Sequence, residues 1–289
     1  MPDIPAPHAD HKAAAPDPSE SWFHALKTAF AEAGKDNAGI VAAGVSYYAF
    51  LAIVPMLGAI VLLYGLFADP QTVARDAQAL AGVLPGSAAD LIAGQLESAT
   101  QAATGTAGLG LLVALAIALF GARNGAGAII TALDIAYDRT DSRSFVKRNL
   151  LALGMTLGAI LGFALVGGAL AATGLLQSTL AKIASYAIVF AAAMGSAWLL
   201  YRFAPDRSPP PPARQLPGAV FFAVGEALLT LGFGIYVANF ASYDATYGSL
   251  GAVVVLLTWL YLSAYVLIIG AELNAPAETA FAQRLGAAD

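Results

Sequence analysis

The stretch that decides the fold reads AGIVAAGVSYYAFLAIVPMLGAIVLLYGLF, residues 38–67, and it contains no charged side chain. Its apolar residues run continuously rather than alternating with polar ones, which favours a helix over a half-buried strand. A bilayer core of about 30 Å needs about 20 apolar residues as a helix. Because lipid offers the backbone no hydrogen-bond partners, a helix is also the structure that such a segment needs. Residues 38–67 are therefore predicted to cross a membrane.

Five further stretches have the same character: 104–121, 149–176, 179–201, 217–240 and 247–271. The composition agrees, because 58% of the 289 residues are hydrophobic and 11% are charged, against about 25% charged in a soluble domain. The sequence therefore predicts an all-α fold with six transmembrane helices. We expect one membrane domain over residues 22–285, a disordered proline-rich tail at 1–21 and a short C-terminal end at 286–289.

The distribution of cations predicts the orientation in the membrane. All but two of the 14 Lys and Arg residues lie before the first stretch, between the second and third, between the fourth and fifth, or after the sixth. The exceptions are Arg75 and Lys182. Because cytoplasmic loops collect positive charge, we expect both termini in the cytoplasm of a bacterial cell.

Two segments outside the predicted spans are amphipathic. Residues 22–35 have the pattern of a helix that lies on the membrane surface. Residues 68–103 form the only sizeable outer segment, and Ala88, Ile92 and Leu96 recur there at helical spacing. This outer segment either caps the bundle or serves as a lid or a docking surface for envelope proteins.

Glycines recur at helical spacing within the predicted spans. Small residues let helices approach closely in lipid, so these positions are predicted to pack helices together within the bundle. A homo-oligomer interface is the alternative, and the sequence does not give the oligomeric state. The positions are Gly121 and Gly125, then Gly154, Gly158 and Gly162, then Gly218, Gly225 and Gly232.

One ionisable residue is predicted near the middle of the membrane. Glu226 lies about 18 Å along its helix from Arg214, and such residues are costly in lipid and often functional. Tyr47, Tyr48 and Thr258 are predicted at a similar depth. We expect these residues to form a polar layer that binds a proton or a polar substrate group, or else a hydrogen-bonded packing contact.

Two further features lie within or beside the predicted spans. Pro55 lies inside the first stretch, where it removes a backbone hydrogen bond and predicts a kink. Arg123 and Asn124 follow the second stretch, and Glu272 follows the sixth on the same side. An ion pair between Arg123 and Glu272 is predicted there, as an anchor or as a gate.

Residue types that thiol and metal chemistry require are missing from the predicted spans. The chain has no cysteine, which excludes disulfides, thiolate metal sites and a cysteine nucleophile. All three histidines, His8, His11 and His24, precede the first predicted span. We therefore expect no metal, no cofactor and no nucleic-acid partner, and membrane lipids as the main surroundings.

Two motifs resemble signatures of the YihY/BrkB family. The first runs from Ala42 to Pro55 (AAGVSYYAFLAIVP), and the second from Tyr247 (YGSLGAV) to Ala275 (GAELNA). The resemblance covers roughly residues 22–285 and implies a six-helix bacterial inner-membrane protein with cytoplasmic termini. The family has carried the labels ribonuclease BN and virulence factor.

The residues argue against ribonuclease activity. Metal-dependent RNA hydrolysis needs clustered metal ligands, and no histidine follows His24. Two function classes remain. A transporter or lipid-handling protein working through the midplane site is favoured, and a non-catalytic envelope scaffold that docks partners through the outer segment is the alternative.

Overall fold

The computed structural model describes residues 22–67, 108–174, 178–208, 211–240 and 249–286. These residues form helices, with no strand among them, so the all-α prediction is confirmed for this part of the chain. A short 3-10 helix, Pro212–Gln215, leads directly into α6. The α-helices are α1 (Trp22–Lys35), α2 (Ala38–Phe67), α3 (Gly108–Ala136), α4 (Phe145–Gly174), α5 (Thr179–Phe203), α6 (Leu216–Phe240) and α7 (Ser249–Gly286).

The amphipathic segment forms α1, which meets α2 at an angle of 73°. Asn37 makes the corner with a φ of 53°, a left-handed conformation that Asn adopts more readily than most residues. Ala29 and Ala33 are buried, whereas the aromatic side chains of Trp22 and Phe23 are exposed. The arrangement suits the membrane-surface position predicted for this helix, and that position stays a prediction.

Helices α2 to α7 form a closed ring. Each helix packs against its neighbours in the sequence, and α7 returns to α2. The connections after α3, α4, α5 and α6 are short, and short connections make consecutive helices antiparallel neighbours, whereas α2 and α3 are separated by residues 68–107. The antiparallel course of α2 and α3 is visible in their contacts, since a Cβ at Gly121 would lie 3.1 Å from Pro55 and one at Gly125 would lie 3.1 Å from Ala52. This pair of glycines therefore packs two helices together, as predicted.

Helix α7 is the central helix at one end of the ring. It contacts α1, α2, α3 and α6, and every residue from Leu267 to Ala275 is buried. A helix that is buried on all sides lies inside a fold. We call this end the polar end; it comprises residues 131–148, 201–208 and 211–218 together with Gly270–Glu278.

Helices α4 and α5 lie at the periphery and expose large apolar side chains along their length. A soluble monomer rarely exposes apolar patches of this extent, so this surface suits contact with lipid. The exposed residues include Leu157, Leu161, Phe163, Leu165, Leu180, Ile183 and Tyr186.

Four described segments are long and apolar enough to cross a membrane: Phe145–Ala169, Thr179–Phe203, Pro212–Tyr236 and Val253–Pro276. Trp22–Lys35 and Ala38–Ile53 together would add a fifth as one bent span. The protein is therefore a multi-pass helical membrane protein. These segments confirm several spans, but they do not confirm the full set of six.

Two helices continue beyond their predicted ends. Helix α3 reaches Ala136 rather than residue 121, and α7 reaches Gly286 rather than residue 271, with Pro276 inside it. Hydropathy falls at the first polar residues, and the sequence therefore predicts that the spans end there. A helix can continue past such residues when their side chains have hydrogen-bonding or ionic partners. Arg123 and Asn124 consequently lie within α3 and not in a loop.

Three predicted segments lie wholly or partly outside the described residues. They are the tail at 1–21, the outer amphipathic segment at 68–103, and residues 287–289 of the C-terminal end.

The α6–α7 contact can be tested with Gly218→Ala. A Cβ at residue 218 would lie 2.0 Å from the Gly270 carbonyl oxygen and 2.5 Å from Asn274 Nδ2, so one helix has to move. We expect the free energy of unfolding to fall by about 1–3 kcal/mol, measured as a lower thermal unfolding midpoint in detergent.

The matched control is Gly158→Ala in α4, where a Cβ would meet nothing within 4 Å. This variant is expected to keep or raise the midpoint, because Ala is about 1 kcal/mol better than Gly inside a helix. Equal midpoints for the two variants would contradict the close approach of α6 and α7.

Candidate functional site

The predicted membrane carboxylate lies in α6 and faces α7. Glu226 Oε1 accepts a hydrogen bond of 3.1 Å from the Ser263 hydroxyl. Its second oxygen, Oε2, is buried and has no hydrogen-bond partner among the described residues. Both side chains are half-buried. A carboxyl group and a neutral hydroxyl thus meet between two membrane-spanning helices.

The pair lies deep within the apolar part of both helices. Glu226 is close to the middle of the segment Pro212–Tyr236, and Ser263 is close to the middle of Val253–Pro276. Along the helix axes, Glu226 lies about 12 Å from Gly218, and Ser263 lies about 10 Å from Gly270. Because Gly218 and Gly270 touch, these similar distances bring the carboxyl and the hydroxyl to one level.

This arrangement can bind a proton or a polar group. An ionised carboxylate accepts hydrogen bonds and attracts a cation, a protonated one donates, and a hydroxyl does both. Ionisable groups within membrane helices mark proton, ion or substrate pathways more often than structural contacts. The Glu226–Ser263 pair is therefore the candidate site.

The other residues predicted for this layer have different described contacts. The rings of Tyr47 and Tyr48 pack edge to face with centroids 5.6 Å apart, and the side chains are 55% and 46% exposed. Thr258 is exposed and donates its hydroxyl proton to the Val254 carbonyl oxygen in its own helix at 2.8 Å. Their participation in a shared site with Glu226 stays a prediction.

Pro55 has a packing contact with α3. It lies inside α2, which continues to Phe67, and Gly121 is the residue of α3 that approaches its ring. The absence of a side chain at residue 121 makes room for the proline. The kink predicted at Pro55 stays a prediction.

Arg123 lies near the middle of α3 and not at its end. Its guanidinium donates to Asn149 Oδ1 in α4 and lies 4.0 Å from the centroid of the Phe120 ring. Asn124 is exposed beside it, and Glu272 is a buried residue of α7 that is 2% exposed. The predicted ion pair between Arg123 and Glu272 is not among the described contacts.

A buried amide at the polar end was not predicted. Asn274 is fully buried in α7, and its Oδ1 accepts the Gly218 N–H at 2.8 Å. Its Nδ2 donates to Tyr137 Oη at 3.3 Å and to the Gln215 carbonyl oxygen at 3.4 Å. One side chain therefore ties α7 to α6, to the 3-10 helix and to the residue that follows α3. Its sequence signal is weak, because an Asn near the end of an apolar run reads as a helix boundary.

Arg207 makes a second connection to α7. Its Nη1 lies 2.7 Å from Glu278 Oε2 in a buried ion pair, and its Nη2 donates to the Tyr201 carbonyl oxygen at 2.8 Å. The guanidinium also lies 4.3 Å from the centroid of the Tyr137 ring. Burial outweighs the attraction of Arg207 and raises the pKa of Glu278 to about 7.

Asp206 ties the loop after α5 to the loop after α3. Its carboxylate accepts hydrogen bonds of 2.7 Å from both the N–H and the hydroxyl of Ser142, and one of 3.0 Å from Arg143 Nε. These hydrogen bonds lower the pKa of Asp206 to about 2. The Asp206 N–H donates to Asp134 Oδ1 at 2.8 Å. The polar end is thus held by paired charges and by hydrogen bonds between its loops and helices.

In the part of the chain that the structure describes, no group of three or more His, Cys, Asp or Glu side chains is placed to hold a metal ion. The candidate site there consists of a carboxyl and a hydroxyl group alone.

The geometry defines a multi-pass α-helical membrane protein with a carboxyl–hydroxyl pair inside its apolar helices and a buried polar network at one end. The family described as Virulence factor BrkB matches residues 29–288. The chain belongs to this family, which confirms the resemblance seen in its two motifs.

Curated proteins that match most of this chain have general names that describe a ribonuclease-like protein or a membrane protein. The chain is 32% identical over 212 residues to the "Putative ribonuclease-like protein YfkH" of Bacillus subtilis (strain 168), covering 66% of this chain and 73% of that one. It is 25% identical over 273 residues to a "UPF0761 membrane protein" of Psychrobacter sp. (strain PRwf-1), covering 88% and 48%. A UPF0761 membrane protein of Aromatoleum aromaticum is 25% identical over 251 residues, covering 81% and 59%.

The chain thus spans about half of the length of the two UPF0761 relatives. No solved structure matches the chain.

The raised pKa of Glu278 predicts a pH-dependent stability. The folded protein holds this proton up to about pH 7, whereas an ordinary glutamate in the unfolded chain loses it near 4.5. Stability from this group is therefore fully present below pH 4.5 and is lost as pH rises to about 7. We expect the thermal unfolding midpoint of the wild type to fall relative to that of Glu278→Gln between pH 5 and pH 8.

Glu32→Gln is the control, since Glu32 pairs with Lys35 on the exposed side of α1 at 2.8 Å and such pairs contribute little. Its midpoint is expected to follow that of the wild type at every pH. A constant difference between wild type and Glu278→Gln across this range would show that Glu278 titrates as an exposed residue.

Proposed function

We propose that the protein is a transporter or lipid-handling protein of the bacterial inner membrane, with Glu226 and Ser263 as its proton- or substrate-binding site. The observation that carries this proposal is the pairing of a mid-helix carboxyl group with a neutral hydroxyl, while its second oxygen has no partner among the described residues. Unlike Asp206 and Glu278, which pair with arginines, Glu226 has no cation among its described partners.

We further propose six spans, with the polar end in the cytoplasm. Helices α2 to α7 all exceed the length that a bilayer core requires, and consecutive helices pack as neighbours around the ring. The polar end carries Arg139, Arg143, Lys147 and Arg148, and cytoplasmic loops are rich in such residues. Both termini are cytoplasmic in this arrangement.

The proposal is non-enzymatic. The ribonuclease label of the Bacillus relative is a name of that protein, and the described residues of this chain offer no metal-binding cluster for RNA hydrolysis. The scaffold alternative depends on the outer segment 68–103, which lies outside the described residues. The scaffold role is therefore one of the outcomes that the experiment can support.

The experiment is native mass spectrometry with lipid analysis of protein purified gently from its own membrane. We expect the wild type to retain one lipid class selectively, and Glu226→Gln to lose it by about tenfold, because the amide cannot ionise or release a proton. Ser263→Ala is expected to show a smaller loss, since it removes only the hydroxyl partner.

Ser196→Ala is the matched control, because Ser196 lies in another membrane-spanning helix, α5, and its hydroxyl bonds to its own backbone. It is expected to carry the wild-type lipids. If wild type and Glu226→Gln carry the same lipids in the same amounts, lipid handling through Glu226 is rejected, and solute transport or a scaffold role becomes the better account.

A further inference from the structure

A second ionisable residue lies within an apolar helix, and it has the opposite charge. Arg123 is about 20 Å along α3 from Ala136, in a helix whose only other charged residue is Asp134. Its guanidinium is bonded to Asn149, which lies within the apolar segment Phe145–Ala169. The cation thus lies between two membrane-spanning helices, on the side of the polar end.

Arg123 has no carboxylate partner among the described residues. Its contacts are an amide oxygen and an aromatic face, and its Nε is buried without a hydrogen-bond partner. A charge removed from water is costly unless it is paired with an opposite charge. The other buried or half-buried arginines described above, Arg143 and Arg207, each have a carboxylate. Arg123 therefore needs an anion that the described part of the chain does not supply.

A polar seam connects Arg123 to the polar end between α3 and α4. Thr131 lies about 12 Å along α3 from Arg123, and its hydroxyl accepts a hydrogen bond of 2.7 Å from Arg148 Nη2. Arg148 also lies 3.4 Å from Asp141, so its charge is already compensated. The seam thus presents two guanidinium groups in succession, and the inner one has no counter-ion.

The seam is open at the surface of the bundle. Asn124 and Thr131 are exposed on the α3 side, and Leu150 is exposed beside Asn149 on the α4 side. Phe120, the ring under the guanidinium, is also exposed. Polar and apolar side chains are therefore exposed close to Arg123 and Asn149 on the outer surface, which suits a ligand with a polar head and apolar tails.

We infer that Arg123 is the centre of a binding site for the phosphate group of an anionic phospholipid, at the α3–α4 seam. A guanidinium donates through a planar fork that matches phosphate oxygens, and Asn149 holds that fork in place. Basic pockets between membrane helices bind anionic head groups in this manner. The acyl chains would lie against Phe120 and Leu150. The site does not depend on Glu226.

The test is lipid titration of the full-length protein in detergent micelles, with bound lipid counted by native mass spectrometry. The probes are phosphatidylglycerol, phosphatidylcholine and inorganic phosphate. We expect the wild type to prefer phosphatidylglycerol, and Arg123→Gln to bind it about tenfold more weakly, as the loss of a hydrogen bond to a charged group implies. Millimolar phosphate is expected not to displace the lipid.

Asn149→Asp is a second variant, which separates a loss of lipid binding from a loss of folding. The new carboxylate would pair with Arg123, which should preserve or raise the thermal midpoint while weakening phosphatidylglycerol binding. Arg202→Gln is the matched control, because Arg202 also lies near aromatic rings, 5.6 Å from those of Trp198 and Phe203, but at the end of α5. It is expected to bind phosphatidylglycerol as the wild type does.

Three results would overturn the inference. They are unchanged phosphatidylglycerol binding in both Arg123→Gln and Asn149→Asp, an equal loss in Arg202→Gln, and displacement of the lipid by inorganic phosphate. Glu226→Gln is expected to keep its phosphatidylglycerol affinity, because a carboxylate does not bind phosphate. A failure at Arg123 is therefore distinguishable from a failure of the proposed site at Glu226.

Discussion

The close approach of α6 and α7 at Gly218 and Gly270 is the constraint on which the polar end depends. The Gly218 N–H belongs to the first turn of α6, where a helix leaves its donors without intrahelical partners. Burial excludes water from this position, and Asn274 Oδ1 accepts the hydrogen bond instead. A cap supplied by another helix works only if the two backbones nearly touch, and two glycines permit that. The tyrosine hydroxyl of Tyr201 then fits beside Gly270 and donates to the Leu267 carbonyl oxygen at 2.8 Å.

The same contact sets the register of the candidate site. Once Gly218 and Gly270 are opposed in an antiparallel pair, residues at similar distances from them must face each other further along. Gly225 meets Val266, and Glu226 meets Ser263. The carboxyl–hydroxyl pair is therefore a consequence of packing at the polar end, although it lies about 12 Å away along α6. A change that separates the two helices at the polar end would also separate the groups of the site.

Much of this fold was predictable, because long apolar runs must be helices in lipid. The depth of Glu226 also followed from counting along its helix. Counting from Tyr247 places Thr258 at a similar depth, but a count of residues does not show which face meets α6, and the described hydrogen bond of Glu226 comes from Ser263. The fall in hydropathy after residue 121 predicts a loop at Arg123. In the structure, Asn149 and Phe120 contact the Arg123 side chain within a continuous helix. Such partners come from other helices and are invisible in a single segment.

The partners of the charged residues separate structural groups from functional candidates. At the polar end, Arg143 pairs with Asp206 and Arg207 pairs with Glu278. Each of these cations therefore has a carboxylate partner within the chain. The two charged residues within the apolar helices, Glu226 and Arg123, have only neutral partners among the described residues, Ser263 and Asn149. A neutral partner orients a charged group without neutralising it, so each retains the capacity to attract an opposite charge from outside the chain. The two sites would therefore select ligand groups of opposite sign, a proton or cationic group at Glu226 and an anionic one at Arg123.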